Sequence, residues 1–392
     1  MRSSGALFLL GFATFSLIYC TQPLLPNFAA EFRLTPAVSS LALSVTTVTL
    51  ALSLVVVGAW SESLGRRGLM FLSVCMASLF NLLAAVAPSW TLFLWARALV
   101  GITLGGVPAV AMAYIAEETP GKRLGLTMGL YIGGTAFGGM LGRVAIGAMT
   151  HLTDWRPAMR GLSAADLLAA LAFWWLLPPS RHFVRRSGLS LRYHVQAWLQ
   201  HLRRRELDLL YLIGMLAMGA FVSVYNYIAF RLLAPPYSLD QATIGLIFLS
   251  YLFGTFASFC GGPLVSRIGR PRALQLGAGL MLTGLLLTLA APLIAVLFGI
   301  VIVNIGFFIT QSVASAGVGA LALGDKAHAS SLYLLAYYVG ASVLASCGGW
   351  FWSHGGWHGV ALYAGTLVLV FAIVAGRLRH AKSTPGADAL PG

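Results

Sequence analysis

The sequence predicts an all-α membrane protein with twelve transmembrane helices in two pseudo-symmetric six-helix bundles. Three observations carry that prediction. The 392 residues are 58% hydrophobic and 9% charged, with a mean hydropathy of +0.84, whereas a soluble domain carries about 25% charged residues. The apolar residues come in runs near the ~20 residues that a helix needs to cross hydrocarbon, far too long for the strands of a membrane barrel. The chain also repeats itself. GAWSESLGRRG begins at Gly58 and GPLVSRIGRPR at Gly262, and each matched position lies 204 residues from its partner. Such internal similarity marks two equivalent halves.

The first half is read as spans at 5–28, 37–60, 69–87, 91–115, 124–149 and 160–177. The second half has spans at 208–231, 241–264, 273–291, 293–322, 329–352 and 358–376. Arg2 and the apolar run after it resemble a secretion signal. That run is too long, contains Gln22, Pro23 and Pro26, and opens a whole series of spans, so it is read as the first of them. The domains follow: an N-terminal bundle at 1–177, a basic cytoplasmic linker at 178–207, a C-terminal bundle at 208–377, and a disordered tail at 378–392. Within the linker, Leu191, Val195, Trp198, Leu199 and Leu202 fall on one helical face, with Arg192, His194, Gln196, Gln200 and His201 on the other. That pattern predicts an amphipathic helix on the membrane surface.

The net charge of +14 invites a nucleic-acid reading, which placement argues against because the basic residues sit in loops between spans. Arg2, Arg66, Arg67, Lys122, Arg123, the seven arginines of 178–207, Arg267, Arg270, Arg272, Lys326, Arg377, Arg379 and Lys382 share one face. The other face keeps Arg33, Arg156, Arg160 and Arg231. The positive-inside rule then puts both termini in the cytoplasm. Cys20, Cys75, Cys260 and Cys347 lie in hydrophobic runs without metal-type spacing. No metal or other cofactor is expected. Enzymes of the usual intramembrane kinds are not supported either: Gly161-Leu-Ser163-Ala is no nucleophile elbow, no H-E-x-x-H occurs, and Gly121-Lys122-Arg123 lacks the rest of a P-loop.

The glycine and arginine repeat falls in the loops after the second and eighth spans. A tight turn there favours glycine at Gly65 and Gly269, with Gly58 and Gly262 in the preceding helices. Arg66 and Arg67, and in the second copy Arg270 and Arg272, sit at the membrane boundary, and Arg267 joins the same gate. Glu62 is the natural partner in the first copy, with Lys122 or Arg123 nearby, and such a cluster can hold a cytoplasmic gate. The second copy has Ser266 at the acidic position. Further matches are Tyr19 with Tyr225, and Tyr131-Ile-Gly133 with Tyr338-Val-Gly340 at offset 207. In the fifth span, Gly125, Gly129 and Gly133, and Gly134, Gly138 and Gly142, form two ridges for close helix contact.

Arg97, Arg143 and Asp166 are the Arg, Asp and Glu residues well inside the spans. Charge there is costly, so function is the default reading. Asp166 either carries a coupled proton or forms a structural ion pair with Arg143 or Arg97. All three are candidates for proton coupling.

The chain resembles transporters of the major facilitator superfamily over essentially its whole length. The loop at Gly58, Glu62, Gly65 and Arg66 is similar to the family's signature loop, with Glu62 for its aspartate and Ser63 for its basic residue. Arg97, Gly101 and Gly105 resemble the motif of its fourth span. GLTMGLYIGGTAFGGMLG resembles the glycine-rich motif of its antiporters, with Ala136-Phe137 where a Gly-Pro pair is usual. YCTQPLLP and YNYIAFRLLAPP resemble bacterial drug and sugar efflux permeases. This resemblance implies a secondary active transporter of the bacterial cytoplasmic (inner) membrane, a proton-coupled exporter of a small drug-like or sugar-like compound. Alternatives are an uncoupled facilitator or importer, and a transporter-like sensor. Its partners would be substrate, protons and lipid, and a monomer is expected. The resemblance also implies a central cavity lined by spans one, four, seven and ten. Tyr19, Gln22, Tyr225, Asn226, Tyr227, Asn304 and Gln311 are the polar and aromatic groups there, suited to a neutral or amphipathic solute.

Overall fold

A computed structural model of the protein describes residues 2–60, 65–119, 121–180, 191–322 and 326–378, and every regular element among them is a helix. Eight helical stretches are long and apolar enough to cross a membrane by themselves. The longest, His328–Gly376, has 49 residues, about twice what one crossing needs. It breaks at Gly356, where φ is +55°, a backbone state open to glycine at little cost. Phe351 then stacks on Tyr363 at 4.5 Å, so the two arms return antiparallel as the eleventh and twelfth spans.

The first span, Ser3–Glu31, is interrupted. Arg2–Tyr19 ends before a 3-10 turn at Gln22–Leu24, and the helix resumes at Leu25–Glu31. Pro23 and Pro26 lack the N–H groups that would continue the ladder. The second span is Pro36–Ser39 and Leu41–Trp60, the third Arg66–Ala85. The fourth is Trp90–Leu104 and Val107–Glu118, divided at Gly105-Gly106 ahead of Pro108. The fifth and sixth are Gly121–Leu152 and Trp155–Leu176. In the second half, the seventh is Arg205–Leu233. The eighth is segmented as Gln241–Ile247, a turn at Phe248–Ser250, Tyr251–Ser258 and Gly261–Ile268. The ninth and tenth are Arg270–Thr288 and Leu293–Leu321. The eleventh begins at Lys326–Val339 and carries a π turn at Gly340–Leu344.

Small residues set the closest contacts. A methyl group added at Gly138 would lie 2.1 Å from the Phe12 carbonyl oxygen, and one at Gly134 2.2 Å from that of Phe8. The fifth span thus lies backbone to backbone against the first. In the second half Gly340 approaches the Met215 carbonyl in the same way, at 2.1 Å. By packing, Gly340 corresponds to Gly134, not Gly133. The other predicted ridge makes no close contact among the described residues, since a methyl group added at Gly129 or Gly133 would meet nothing within 4 Å. Gly101 and Gly105 do pack, against Thr49 and Ser53 of the second span. Hydroxyls complete that contact: Thr46 donates to the Arg97 carbonyl at 3.2 Å, Thr49 to Ala98 at 3.0 Å, and Ser53 to Ile102 at 2.6 Å.

The two six-helix halves meet mainly along the fifth and eighth spans and the second and eleventh. Hydrogen bonds between them gather toward one end. Gln241 donates to the Pro23 carbonyl at 2.6 Å, Ser44 meets Ser346 at 2.7 Å, Thr47 meets Ser342 at 2.6 Å, and Tyr227 donates to Ser40 at 3.3 Å. At the opposite end, which carries Gly65 and Gly269, described side chains bond within their own half. Arg66 holds Glu117, Arg67 the Trp174 carbonyl, and Tyr114 the Pro178 carbonyl.

Two local expectations need correction. Gly269 has a φ of +81°, but Gly65 has −58°, which any residue adopts, so glycine's freedom is required only in the second loop. The linker helix forms at Leu191–Leu202, yet His201, placed by periodicity on the polar face, is 4% exposed. The helix docks on the eleventh span, where Trp198 donates to Ser331 at 3.2 Å. Val195, Leu199 and Leu202 stay uncovered, an apolar row suited to lipid.

Candidate functional site

The break in the first span organises the centre of the N-terminal half. Interrupting a helix frees carbonyls, which in a membrane need donors. Arg97, wholly buried, supplies them to Leu17 at 3.0 Å and Ile18 at 2.8 Å, and reaches Ala42 of the second span at 3.4 Å. It also donates to Asn81 Oδ1 at 2.8 Å, and Asn81 in turn donates to Ser163 at 2.9 Å. Arg97 is therefore a brace between four spans rather than one half of an ion pair.

Asp166, 1% exposed, lies on the sixth span. Its Oδ2 accepts from Ser16 at 2.5 Å, and Oδ1 has no hydrogen-bond partner. The ion pairs among the described residues are Arg66 with Glu117 and Arg156 with Glu31. The predicted alternative, an ion pair of Asp166 with Arg143 or Arg97, is absent. Both arginines are engaged elsewhere.

Arg143, on the fifth span and 2% exposed, occupies the contact between halves. Its guanidinium carbon lies 4.2 Å from the ring centre of Tyr19, 4.9 Å from Tyr251 and 5.0 Å from Phe248, which is cation–π range. Nε donates to Gln22 Oε1 at 2.8 Å and Nη1 to the Gly139 carbonyl at 2.5 Å. Gln22 Nε2 then donates to Asn226 Oδ1 of the seventh span at 2.9 Å.

Of the seven predicted cavity residues, Tyr19, Gln22 and Asn226 come together at Arg143. Tyr225 stands one layer back, its ring against Tyr251 and its hydroxyl on Ser250 and Asn304. Asn304 is held there by Ser250 and the Ile300 carbonyl. Tyr227 belongs to the contact with Ser40 between the halves, and Gln311 accepts from Tyr333 at 2.7 Å, apart from the Arg143 group. Sequence reasoning missed Tyr251 and Phe248 because it looked only at spans one, four, seven and ten. The aromatic run Phe248-Leu-Ser-Tyr251 inside an apolar segment was the available signal.

At the gate, Glu62 lies outside the described residues, and the environment of Gly58 is not described. Arg67 stacks on Trp174 at 4.1 Å. Arg123 and Arg267 are exposed, Gly262 meets nothing within 4 Å, and Arg270 approaches Gly317 of the tenth span. Arg66 has a partner that the motif does not name: Glu117 at the end of the fourth span, with Nε to Oε2 at 2.6 Å. An acidic pair, Glu117-Glu118, closing an apolar span on the basic face was its signature. We expect a double-mutant cycle of Arg66→Ala and Glu117→Ala, read by thermal melting in detergent, to give a coupling of about 1 kcal/mol. Additive single effects would contradict the pairing.

Two six-helix halves that hydrogen-bond toward one end, with buried polar groups at their contact, define a membrane transporter. A family model described as Major Facilitator Superfamily matches residues 7–322 and 216–391. The chain is 42% identical over 380 residues to YybF, an MFS-type transporter of Bacillus subtilis (97% of this chain, 94% of the relative). It is also 42% identical over 382 residues to the inner membrane transport protein YnfM of Escherichia coli (97% and 91%). Among solved structures, the nucleoside transporter NupG superimposes with a TM-score of 0.81 at 12% identity, covering 96% of this chain and 99% of that one. A bacterial homolog of the human lysosomal transporter Spinster, inward-facing and occupied, gives 0.78 at 15%, covering 95% and 94%. The chain belongs to the Major Facilitator Superfamily: it is a multi-pass membrane transporter, not an enzyme.

Proposed function

We propose that this transporter exports a small organic compound from a bacterial cell in exchange for protons, by alternating access, with both termini in the cytoplasm. The observation that carries the coupling is Asp166. It is a carboxyl inside the membrane with one oxygen on Ser16, the other unpartnered, and no cation paired to it. An unpaired buried charge costs several kcal/mol, and a bound proton removes that cost. The group therefore suits a proton that comes and goes. Ser16 lies on the first span, whose break leads directly into Gln22 and the contact between the halves. Loading Asp166 can thus bias how that contact sits.

Sidedness rests on the arginine-rich loops. With those loops inside, the hydrogen-bonded end through Pro23, Ser44, Thr47 and Tyr227 is the outer one. Residues 1–177 and 208–377 move as the two bodies, joined by 178–207, and one chain suffices. The single side-chain bonds between them are few enough to exchange for contacts at the Arg66 and Arg270 end in the opposite state.

Inverted membrane vesicles with an imposed pH gradient test the reading on a panel of drugs, sugars and organic acids. Gradient-driven uptake by wild type is expected for at least one member, with Asp166→Asn losing about 100-fold or more of it. If no gradient drives any solute, the exporter reading fails. Unchanged uptake in the variant removes Asp166 from the coupling.

A further inference from the structure

We infer that Arg143 and Asn226 form an anion site, and that the cargo of the proposed exporter is an organic monocarboxylate with a planar, apolar body. The word cargo rests on the transport reading above; the binding claim stands separately.

Arginine stays charged under all physiological conditions. Arg143 lies within the fifth span with no carboxylate paired to it among the described residues. Aromatic faces offset part of that cost but accept no in-plane hydrogen bonds. Nε and Nη1 have acceptors, whereas Nη2 has none among the described residues.

A second unfilled donor follows from the amide chain. Arginine only donates, so Gln22 must turn Oε1 toward Arg143 and Nε2 toward Asn226. Asn226 must then present Oδ1, which leaves its Nδ2 buried and without an acceptor. A satisfied packing arrangement would not leave such a donor. Two unfilled donors therefore flank Gln22, one on each half, and one of them belongs to an unneutralised cation. A carboxylate supplies one negative charge and two acceptor oxygens, matching both. It would bridge Arg143 of the first half to Asn226 of the second, as a ligand that governs their relative position must.

Other classes fit less well. A cationic drug would meet Arg143 with like charge. A neutral sugar would fill the donors but leave the charge uncompensated. A dianionic phosphate would call for a second cation, and the donors of Arg97 are already spent on Leu17, Ile18, Ala42 and Asn81. The walls select the rest of the molecule. Beside the guanidinium stand the rings of Tyr19, Phe248 and Tyr251, backed by the buried stack of Phe221 and Phe307, and aromatic faces favour a flat apolar body. The expectation of a neutral or amphipathic solute left out Arg143 because an ion pair was open to it.

The test is binding to the purified full-length chain in detergent, read as a thermal shift and by competition. The probes are benzoate, phenylacetate and hexanoate, each beside its uncharged primary amide. Wild type is expected to prefer at least one acid over its amide by about 10- to 100-fold, the range for a charge-assisted contact. Arg143→Gln should abolish that preference, Arg143→Lys should keep part of it, and Asn226→Ala should lower it several-fold with the cation still present. If no acid is preferred in wild type, or if the preference survives in Arg143→Gln, the anion site is wrong. Should Arg143→Gln fail to fold, the Lys and Asn226→Ala variants decide: an undiminished preference in both overturns the proposal. Selective binding without gradient-driven transport would instead sink the exporter reading and leave the site intact.

Discussion

Arg97→Leu is expected to cost more stability than any other single substitution in the N-terminal half. The side chain holds the Leu17, Ile18 and Ala42 carbonyls and Asn81 at once, with no exposure. Leucine is shorter and donates nothing, so the Ile18 carbonyl loses its side-chain donor, and Leu17, Asn81 and Ala42 keep only the Cys20 thiol or the Thr46 hydroxyl in a medium that offers no water. Each orphaned buried acceptor costs about 1–3 kcal/mol. Relaxation of the helix break recovers part of this, so a net loss of roughly 3–5 kcal/mol is expected. Arg97→Lys retains the charge, but one ammonium cannot span carbonyls on two helices and the amide of a third. It should fall between wild type and Arg97→Leu. Melting of the detergent-solubilised chain, followed by size-exclusion chromatography, measures this directly. An Arg97→Leu variant that melts within about 2 °C of wild type would contradict the bracing role.

Gly138→Ala and Gly129→Ala are expected to act in opposite directions, although both sit on one helix in a similar sequence setting. At Gly138 the new methyl would be 2.1 Å from the Phe12 carbonyl oxygen. The obstacle is backbone and cannot rotate away, so the first and fifth spans must separate, at a cost of about 1–3 kcal/mol or more. At Gly129 nothing lies within 4 Å, and alanine's better helix propensity should leave stability unchanged or raise it by up to about 1 kcal/mol. The same melting assay reads both variants. Equal losses at the two positions would mean that the first and fifth spans do not pack as described.

These contrasts show where one-dimensional reading stops. Gly129 and Gly138 are equally glycine to a periodicity argument, and both ridges looked like helix contacts. Only the direction each ridge faces separates them, and that depends on how the neighbouring span approaches. The matched motifs Tyr131-Ile-Gly133 and Tyr338-Val-Gly340 illustrate a related limit. Letters aligned best at an offset of 207, while the glycines that pack equivalently, Gly134 and Gly340, are 206 apart. That is the same spacing as Tyr19 and Tyr225. The carbonyls that these glycines meet, Phe8 and Met215, are 207 apart, so the two halves are not in strict register at this contact.

The three charges inside the membrane were legible as unusual, because their cost in hydrocarbon is independent of fold. Their partners were not. Their places inside the fourth, fifth and sixth spans left Arg97, Arg143 and Asp166 free to meet, but helix rotation sends Arg97 to the broken first span, Arg143 to the contact between halves, and Asp166 to Ser16. Glu117 shows the converse: it was visible as an acidic residue on a basic face, yet nothing in the chain order named Arg66 as its counterpart.

The sequence by itself determined that this is a twelve-span helical membrane protein of two equivalent halves, since bilayer thickness, backbone hydrogen bonding and self-similarity act on the chain locally, segment by segment. Tertiary structure alone decided which charges are braced and which are left open. Pairing depends on the rotation and depth of several helices at once, a quantity no single segment encodes. It is that geometry which leaves Arg143 and Asn226 with donors to fill.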